Sequence, residues 1–421
     1  MENYKYLIIG GGVAGTTAAE VLRQNDKDGS IAIVSDEPRM YSRIMLSKPN
    51  FFLGKIPFDN IWLREEKWYT ENKIDFIGES LATKLDPQNK TVELKNGPDV
   101  SVGTGKILKY EKLLLATGGE ARPWQIPGSD KKGICYVRDL KQAEELMENV
   151  KTAKQAVAIG SGFVSFEMCE MMRLVGLEVT LIMREPYYWY PLLDEESAKM
   201  IESGMEKGGI KILRETEVSE ILGNGEISGV ILKDGTRIPC RLALVGIGLI
   251  CNLDWVKRAG VEINKGILAN EYLETNVADI YTAGDVAEFN DLVLGERVQL
   301  GNWVNAQMQG RTVALNMLDK KQPFKFVSFY TVQGFGLNIA MSGDVRIKPE
   351  YKVIKRGSPE INSLARIIVD INDEIIGATF INRTQDMSVI NKLIESNFKV
   401  SGHESELSDI NFDLKKLLTK S

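Results

Sequence analysis

Residues 6–15 read YLIIGGGVAG, an apolar run followed at once by glycines at positions 10, 12 and 15. The run predicts a β-strand over Lys5–Ile9, and the residues behind the glycines predict a helix over Ala14–Asn25. In a G-x-G-x-x-G turn the first glycine permits a tight turn, the second lets the backbone approach a pyrophosphate, and the third lets helix and strand pack closely. The pattern predicts a dinucleotide at the helix N-terminus, where unpaired N–H groups attract anions. The residues assigned to this turn are Gly10, Gly12, Val13, Ala14 and Gly15.

The next apolar run predicts a second strand over Ile31–Ser35, and two acids, Asp36 and Glu37, follow it. A carboxylate at the end of the second strand of such a unit accepts hydrogen bonds from the ribose of an adenosine. Strand, glycine turn, helix, strand and acid therefore occur in the order that a nucleotide-binding βαβ unit requires.

A second copy of the pattern begins at residue 156, where the chain reads AVAIGSGFVSFE. It predicts a strand over Ala156–Ile159, a helix over Val164–Leu174 and a strand over Glu178–Met183. The third glycine position holds Ser165, which is small enough to pack there. The residues assigned to this second nucleotide site are Gly160, Gly162, Phe163, Val164, Met183, Arg184 and Gly246.

The end of the second copy bears on the choice of nucleotide. Met183 and Arg184 stand where an acid would favour NADH, and an arginine pairs well with the 2′-phosphate of NADPH. Glu185 follows directly and carries the opposite charge. The sequence therefore favours NADPH slightly over NADH. Two adenosine sites in one chain indicate two dinucleotides, a flavin that stays bound and a nicotinamide that exchanges.

Composition excludes several classes of function. The 421 residues carry a net charge of −6 with both signs spread along the chain, unlike the basic face of a nucleic-acid-binding protein. We find neither a signal peptide nor an apolar run of about 18 residues, so no membrane span and a cytoplasmic location are expected. The four cysteines form no CxxC pair, and the single histidine, His403, lies in a polar tail. We therefore predict neither a metal site nor histidine-based catalysis.

Three further segments carry a family resemblance. They are DEPRMYSRIMLSK at 36–48, KLLLATGGEARPWQIPG at 112–128 and TNVADIYTAGDVA at 275–287. With the two glycine turns, they resemble the FAD-dependent pyridine nucleotide–disulfide oxidoreductase superfamily through most of the chain. The first segment is similar to that of rubredoxin reductases, oxygenase-coupled ferredoxin reductases, the flavin region of nitrite reductases and apoptosis-inducing factor. The resemblance implies FAD as the bound cofactor and NADPH or NADH as the substrate.

The resemblance also implies roles for single residues. Lys48 would lie near the flavin N5 and pair with Glu167, and these two are the predicted catalytic residues. A paired ammonium beside the reduced flavin stabilises its negative charge and orients the nicotinamide. Phe163 would lie between the flavin ring and the nicotinamide pocket. The other residues that the resemblance implies for the flavin are Asp36, Glu37, Arg43, Ala82, Ala116, Thr117, Gly118, Gly284, Asp285, Asn302, Trp303 and Tyr330.

The chain departs from the disulfide reductases of that superfamily in one decisive way. Their redox cysteine lies in the segment after the first βα unit, and residues 36–48 contain serines and no cysteine. Electrons are therefore expected to leave the flavin directly, for a small iron–sulfur protein such as rubredoxin or ferredoxin. An NAD(P)H oxidase that reduces O₂ or a small oxidant, and a redox-sensing flavoprotein with slow turnover, remain alternatives. The sequence leaves the acceptor open and is compatible with a homodimer.

The fold class that follows is α/β, with two Rossmann-like three-layer domains and a C-terminal α+β interface domain. The predicted boundaries are 1–115 with 248–322 for a discontinuous FAD domain, 116–247 for the NAD(P)H domain and 323–421 for the last domain. Residues 404–421 show an apolar periodicity that predicts a docked terminal helix. The aromatic cluster Tyr187–Tyr190 fits either interior packing or a platform at the nicotinamide entrance, and the sequence does not decide between them.

Overall fold

The computed structural model describes residues 1–96 and 105–419. The chain forms two compact units, each assembled from separate stretches of sequence. The first contains Met1–Ser42, Asp59–Glu120 and Ile250–Phe326, and the second contains Arg43–Phe58, Ala121–Leu249 and Val327–Ser421. The predicted division into three domains stays a prediction.

The first unit is built on a seven-stranded mixed sheet. Five of its strands run parallel, and the last two form an antiparallel hairpin. In spatial order the strands are Ile74–Ile77, Ile31–Val34, Glu2–Ile9, Gly105–Leu115, Thr91–Asn96 and Ser80–Asp86, with Ile280–Thr282 paired to Gly105–Leu115. The helices are Val13–Asn25, Glu66–Glu71, Asp254–Lys257 and Trp303–Met317, and a small sheet contains Ile267–Ala269, Ala287–Asp291 and Glu296–Val298.

The second unit repeats this strand order in a five-stranded parallel sheet. Its order is Ile210–Leu213, Glu178–Ile182, Gln155–Ile159, Leu242–Val245 and Ile134–Cys135. The central strands Gln155–Ile159 and Leu242–Val245 are buried on both faces and are almost entirely apolar, as parallel strands covered by helices are. Helices Leu140–Thr152, Phe163–Leu174 and Glu195–Lys207 belong to this sheet region, as do the antiparallel strands Val218–Leu222, Gly229–Leu232 and Arg237–Pro239.

The rest of the second unit is an α+β segment. Five antiparallel strands occur in the order Phe329–Gly334, Leu337–Gly343, Ile375–Ile381, Ser363–Val369 and Lys352–Ser358. The helices are Pro49–Phe52, Met387–Glu395 and Glu404–Ser408, and the 3-10 helices are Arg43–Ser47, Pro359–Ile361, Thr384–Asp386 and Leu414–Thr419. A further 3-10 helix, Phe58–Ile61, and the short strands Glu120–Ala121 and Leu249–Ile250 lie where the chain passes from one unit to the other. The predicted fold class is confirmed by these parallel and antiparallel sheets.

Predicted and observed elements differ mostly at their ends. The first strand begins at Glu2 instead of Lys5, and the two glycine-turn helices begin at Val13 and Phe163, one residue earlier than predicted. The prediction of one terminal helix is wrong, because Glu404–Ser408 and Leu414–Thr419 are separate segments. Between these segments, the Arg356 guanidinium donates hydrogen bonds to the carbonyl oxygens of Asp409 and Phe412. These carbonyl groups are therefore not used in the hydrogen bonds of a helix.

Candidate functional site

The first glycine turn lies where the strand Glu2–Ile9 ends beside Gly105–Leu115. A Cβ atom built on Gly10 would lie 2.1 Å from the Ala116 carbonyl oxygen, and one on Gly15 would lie 2.1 Å from the Gly10 carbonyl oxygen. These positions therefore admit only glycine. A Cβ on Gly12 would meet no protein atom within 4 Å, so this glycine faces open space. Gly12 is the N-cap of the helix, and because glycine has no side chain, the cap residue does not compete with a phosphate for the first N–H groups.

A second glycine motif closes around the same turn. Gly284 has a φ of +84°, and a Cβ on it would lie 3.2 Å from the Ala14 side chain. The helix Trp303–Met317 crosses the first helix so closely that a Cβ on Gly310 would lie 2.3 Å from the Ala14 carbonyl oxygen. Gln309, which the sequence analysis missed, accepts a 2.6 Å hydrogen bond from the Gly284 N–H. Glycine and alanine residues thus let the segment around Gly284 and the helix Trp303–Met317 pack closely against the first glycine turn. These small residues at a helix N-terminus fit the pyrophosphate of a flavin dinucleotide.

The predicted ribose acids lie at the end of the second strand and differ in exposure. Asp36 is exposed, whereas Glu37 is half-buried and accepts a hydrogen bond from the Tyr41 hydroxyl. The Ser35 hydroxyl accepts from the Glu37 backbone N–H at 3.1 Å. Asp36 is therefore the more accessible of the two carboxylates.

The remaining residues predicted for the flavin in this unit occupy four places. Ala116, Thr117 and Gly118 directly follow the strand Gly105–Leu115 at the glycine-turn edge. Asn302 caps the helix Trp303–Met317, where its side chain accepts a 2.7 Å bond from Asn305, and Trp303 begins that helix. Ala82 is buried in the hairpin, paired with Leu94, and Asp285 accepts a 2.7 Å bond from Gln299 on its backbone carbonyl.

The second glycine turn has the same construction in the second unit. A Cβ on Gly160 would lie 2.5 Å from the Gly246 carbonyl oxygen, so these predicted residues meet at the strand ends. A Cβ on Gly246 would lie 2.5 Å from the Ser165 hydroxyl oxygen, which shows that serine fills the third glycine position. Gly162 caps its helix without a side-chain hydrogen bond, and its carbonyl accepts a 2.8 Å bond from the Tyr188 hydroxyl. Burial raises the pKa of the Tyr188 phenol, which keeps it a protonated donor.

At the end of the second strand, Glu185 is the acid that lies on the glycine turn. Its carboxylate accepts a 3.1 Å hydrogen bond from the Ser161 hydroxyl and a 3.0 Å bond from Arg184. The Arg184 side chain is 78% exposed, against 18% for Glu185. Met183, which the sequence assigned to the nucleotide, is 1% exposed and packs in the core.

Lys48 and Glu167 form an ion pair in the second unit, although they lie 119 residues apart in sequence. The lysine ammonium donates to Oε1 of the glutamate, and the Ser47 hydroxyl donates to Oε2. The glutamate side chain is 11% exposed and the lysine side chain 32%. Arg43 begins the 3-10 helix Arg43–Ser47 and donates a 2.7 Å hydrogen bond to the Arg138 carbonyl oxygen.

Phe163 lies in an aromatic stack at the start of the second glycine-turn helix. Its ring is parallel to that of Tyr330 within 8°, with 4.7 Å between the centroids, and it packs on Trp189 at the same distance. Tyr188 and Trp189 are buried, whereas Tyr190 is 49% exposed. The inner members of the aromatic cluster are therefore interior packing. Val164, the next helical residue, is exposed at the turn.

Three of the four cysteines are packed in the interior of the second unit. Cys135, Cys169 and Cys240 are buried, and burial raises the pKa of the Cys135 and Cys240 thiols to about 12. Within residues 1–96 and 105–419, no group of three or more His, Cys, Asp or Glu side chains is placed to hold a metal ion. Over the same residues, no helix has the length and apolar character needed to cross a membrane.

One mixed and one parallel sheet, each with a glycine turn at the end of a parallel strand, define a class of protein that binds two dinucleotides. The chain belongs to the pyridine nucleotide-disulphide oxidoreductase family, whose model matches residues 4–310. The predicted family is thereby confirmed, and the chain is placed among the oxidoreductases that use FAD and a pyridine nucleotide.

Three comparisons give the level of similarity. The chain is 28% identical over 405 residues to the nitrite reductase [NAD(P)H] of Bacillus subtilis, covering 95% of itself and 48% of that protein. It thus spans about half the length of that relative. It is 28% identical over 412 residues to the ferredoxin–NAD(+) reductase component of the biphenyl dioxygenase system of Paraburkholderia xenovorans, covering 98% of itself and 97% of that protein. The crystal structure of the ferredoxin reductase for the CYP199A2 system of Rhodopseudomonas palustris matches with a TM-score of 0.88 and 27% identity, over 98% of this chain and 99% of that one.

Proposed function

We propose that the protein is an FAD-containing NAD(P)H oxidoreductase that delivers electrons to a small iron–sulfur protein of the ferredoxin or rubredoxin type. The observation that carries the proposal is the pair of glycine turns, each with a glycine as the N-cap of a helix. A Cβ on Gly12 would meet no protein atom within 4 Å, and one on Gly162 would lie no closer than 3.8 Å to its nearest neighbour, the Gly246 carbonyl oxygen. The similarity to a ferredoxin–NAD(+) reductase over 97% of that protein's length supports the iron–sulfur acceptor. Bound FAD would take up a hydride and release electrons one at a time, which matches a two-electron donor to a one-electron acceptor.

The chain's own residues would then bind, orient and supply charge. The glycine turns would hold the two pyrophosphates, and the Lys48 ammonium, which is paired with Glu167, would supply positive charge to a reduced flavin. Phe163 would have to leave its stack with Tyr330 for a nicotinamide ring to take that place. The absence of cysteine between residues 36 and 48 leaves the acceptor as the destination of the electrons.

For the nucleotide, we propose that NADH is preferred. The Glu185 carboxylate lies against the second glycine turn through Ser161, where it would accept hydrogen bonds from ribose hydroxyls and repel a 2′-phosphate. This departs from the slight preference for NADPH predicted from Arg184. That prediction depends on an exposed guanidinium that is already paired with Glu185.

The location and the assembly state also belong to this proposal. All four cysteines are free thiols, as is usual for proteins of a reducing compartment, so we propose a cytoplasmic enzyme. A homodimer stays a prediction, which sedimentation of the purified holoprotein would test.

The direct test is anaerobic stopped-flow measurement of the flavin's visible absorbance after mixing the holoprotein with NADH or with NADPH. We expect bleaching with both nucleotides and a lower half-saturating concentration for NADH. The reduced protein is then mixed with oxidised ferredoxin, oxidised rubredoxin or O₂. Reoxidation that is fastest with O₂ would instead support an NAD(P)H oxidase.

A persistent long-wavelength absorbance with very slow bleaching would support the redox-sensing alternative. If the purified protein contains no flavin, or if neither nucleotide bleaches it, the oxidoreductase proposal fails.

A further inference from the structure

Ser47 holds the second oxygen of the carboxylate that pairs with Lys48. It is the last residue of the 3-10 helix Arg43–Ser47, and Lys48 follows it as the N-cap of the helix Pro49–Phe52. Ser47 and Glu167 are 8% and 9% exposed. The two side chains that donate hydrogen bonds to the Glu167 carboxylate thus belong to residues that are adjacent in sequence, Ser47 and Lys48.

The direction of the Ser47 hydrogen bond follows from chemistry. Its hydroxyl has one proton and two neighbouring acceptors, the Glu167 carboxylate and the Ile44 carbonyl oxygen at 3.4 Å. An ionised carboxylate is an acceptor only, and hydrogen bonds to charged groups are the shorter and stronger ones. The closer contact is that with Glu167, so the proton points to the carboxylate.

Holding both carboxylate oxygens fixes the rotation of the glutamate side chain. With Oε1 on the ammonium and Oε2 on the hydroxyl, neither oxygen of this buried group lacks a donor. Without the Ser47 hydroxyl, Oε2 would be buried without a hydrogen-bond donor. The carboxylate would then rotate toward water, or both of its oxygens would accept from the Lys48 ammonium. The ammonium would then lose its fixed direction.

We propose that Ser47 is a positioning residue, which aligns Glu167 so that the Lys48 ammonium keeps one orientation during hydride transfer. The inference rests on the proposed function. It adds a third member to the predicted Lys48–Glu167 pair. Its effect is expected on the rate of flavin reduction and less on nucleotide affinity, because Ser47 acts through another side chain.

The test compares Ser47→Ala and Ser47→Thr with the wild-type holoprotein. Stopped-flow reduction over a range of NADH concentrations separates the limiting rate constant from the half-saturating concentration. Ser47→Ala should lower the limiting rate about tenfold, the size of effect that one lost hydrogen bond to a charged group allows. Ser47→Thr, which keeps a hydroxyl, should recover most of the rate. Ser42→Ala, a serine change of equal size earlier in the same segment, is the matched control and should leave the rate unchanged.

A second readout does not depend on turnover. Thermal unfolding is measured for Ser47→Ala, Glu167→Ala and the double variant. Coupled side chains give non-additive effects, so removing the hydroxyl should lower the transition temperature less when the carboxylate is already absent. Equal shifts in both backgrounds would mean that the hydroxyl does not support Glu167, and the proposal would be overturned.

The outcomes separate the two proposals. If NADH bleaches the wild type and Ser47→Ala at the same limiting rate, the role of Ser47 is disproved and the oxidoreductase proposal stands. If neither nucleotide reduces the wild type, both proposals fail.

Discussion

The hydroxyl of Ser161 and the carboxylate of Glu185 are joined by a hydrogen bond of 3.1 Å, although 24 residues separate them in sequence. Ser161 is the middle residue of Gly160-Ser161-Gly162, so the bond draws an acid onto the turn that would hold a pyrophosphate. Arg184 points its guanidinium at the same carboxylate from an exposed position. The charge next to the turn is therefore set by two adjacent residues of opposite sign.

Glu185→Gln should shift the nucleotide preference toward NADPH. The change removes a negative charge while nearly preserving side-chain size, and it frees Arg184 to pair with a 2′-phosphate. We expect the ratio of half-saturating concentrations for NADPH and NADH to fall about two- to fivefold, the upper part of the range for a partly exposed charge pair. Arg184→Gln is the matched control and should shift the ratio the other way. An unchanged ratio in both variants would mean that the adenosine binds elsewhere.

Lys48→Met should slow flavin reduction while leaving FAD bound. Methionine retains the length of the side chain but removes the charge that would stabilise the reduced flavin, a change expected to cost about a hundredfold in the limiting rate. Lys67→Met is the control, because this lysine pairs with Glu65 at the surface and 71% of its side chain is exposed. Stopped-flow traces with NADH make the measurement. A limiting rate within twofold of wild type, on the scale of ordinary surface substitutions, would remove Lys48 from the catalytic pair.

Gly12→Ala and Gly15→Ala should separate cofactor binding from folding. A Cβ at residue 12 meets no protein atom within 4 Å, so the alanine variant should fold normally and lose FAD on gel filtration. At residue 15 the added atom would lie 2.1 Å from the Gly10 carbonyl oxygen and 2.9 Å from the Ile8 side chain. That clash should destabilise the protein by about 2 kcal/mol, as overpacking does.

The flavin-to-protein ratio and thermal unfolding report on the two glycine variants. Full FAD occupancy in Gly12→Ala would show that the open space in front of this glycine is not the pyrophosphate position.

Thiol reagents should find at most one reactive cysteine in the native protein. Burial raises the pKa of Cys135 and Cys240 to about 12, and it also raises the pKa of Cys169. Since only the thiolate reacts, these three thiols should stay unmodified near pH 8. Titration with a chromogenic disulfide before and after denaturation should give one fast thiol or none, and then all four. Two or more fast thiols in the native state, or loss of NADH oxidation on their modification, would contradict the cysteine-free electron path.

Local sequence chemistry predicted most of the fold. Apolar runs of strand length, glycines at fixed spacing and helices behind them are short-range signals, so both βαβ units were predicted to within a few residues at their ends. The prediction of one terminal helix was wrong because its interruption depends on Arg356, which lies in a distant strand. Helical periodicity in the tail carries no information about that side chain.

The site was predicted less completely than the fold. The resemblance supplied Lys48 and Glu167, whose ion pair the structure contains. Ser47 lies in the same quoted segment, but the sequence does not show that its hydroxyl donates to Glu167. Gln309 likewise lies inside a helix as an ordinary polar residue, and its bond to Gly284 exists only because that helix crosses the first glycine-turn helix.

The sequence by itself thus determined where the backbone must turn tightly and which dinucleotide-binding units the chain contains, because glycine spacing and apolar periodicity act over a few residues. Only the tertiary structure decided which charges meet. Glu185, and not Arg184, lies on the second glycine turn, and Glu167 receives both Lys48 and Ser47. These contacts join residues from 24 to 120 positions apart, and their geometry is fixed by strand order and helix packing, which no short stretch of sequence encodes.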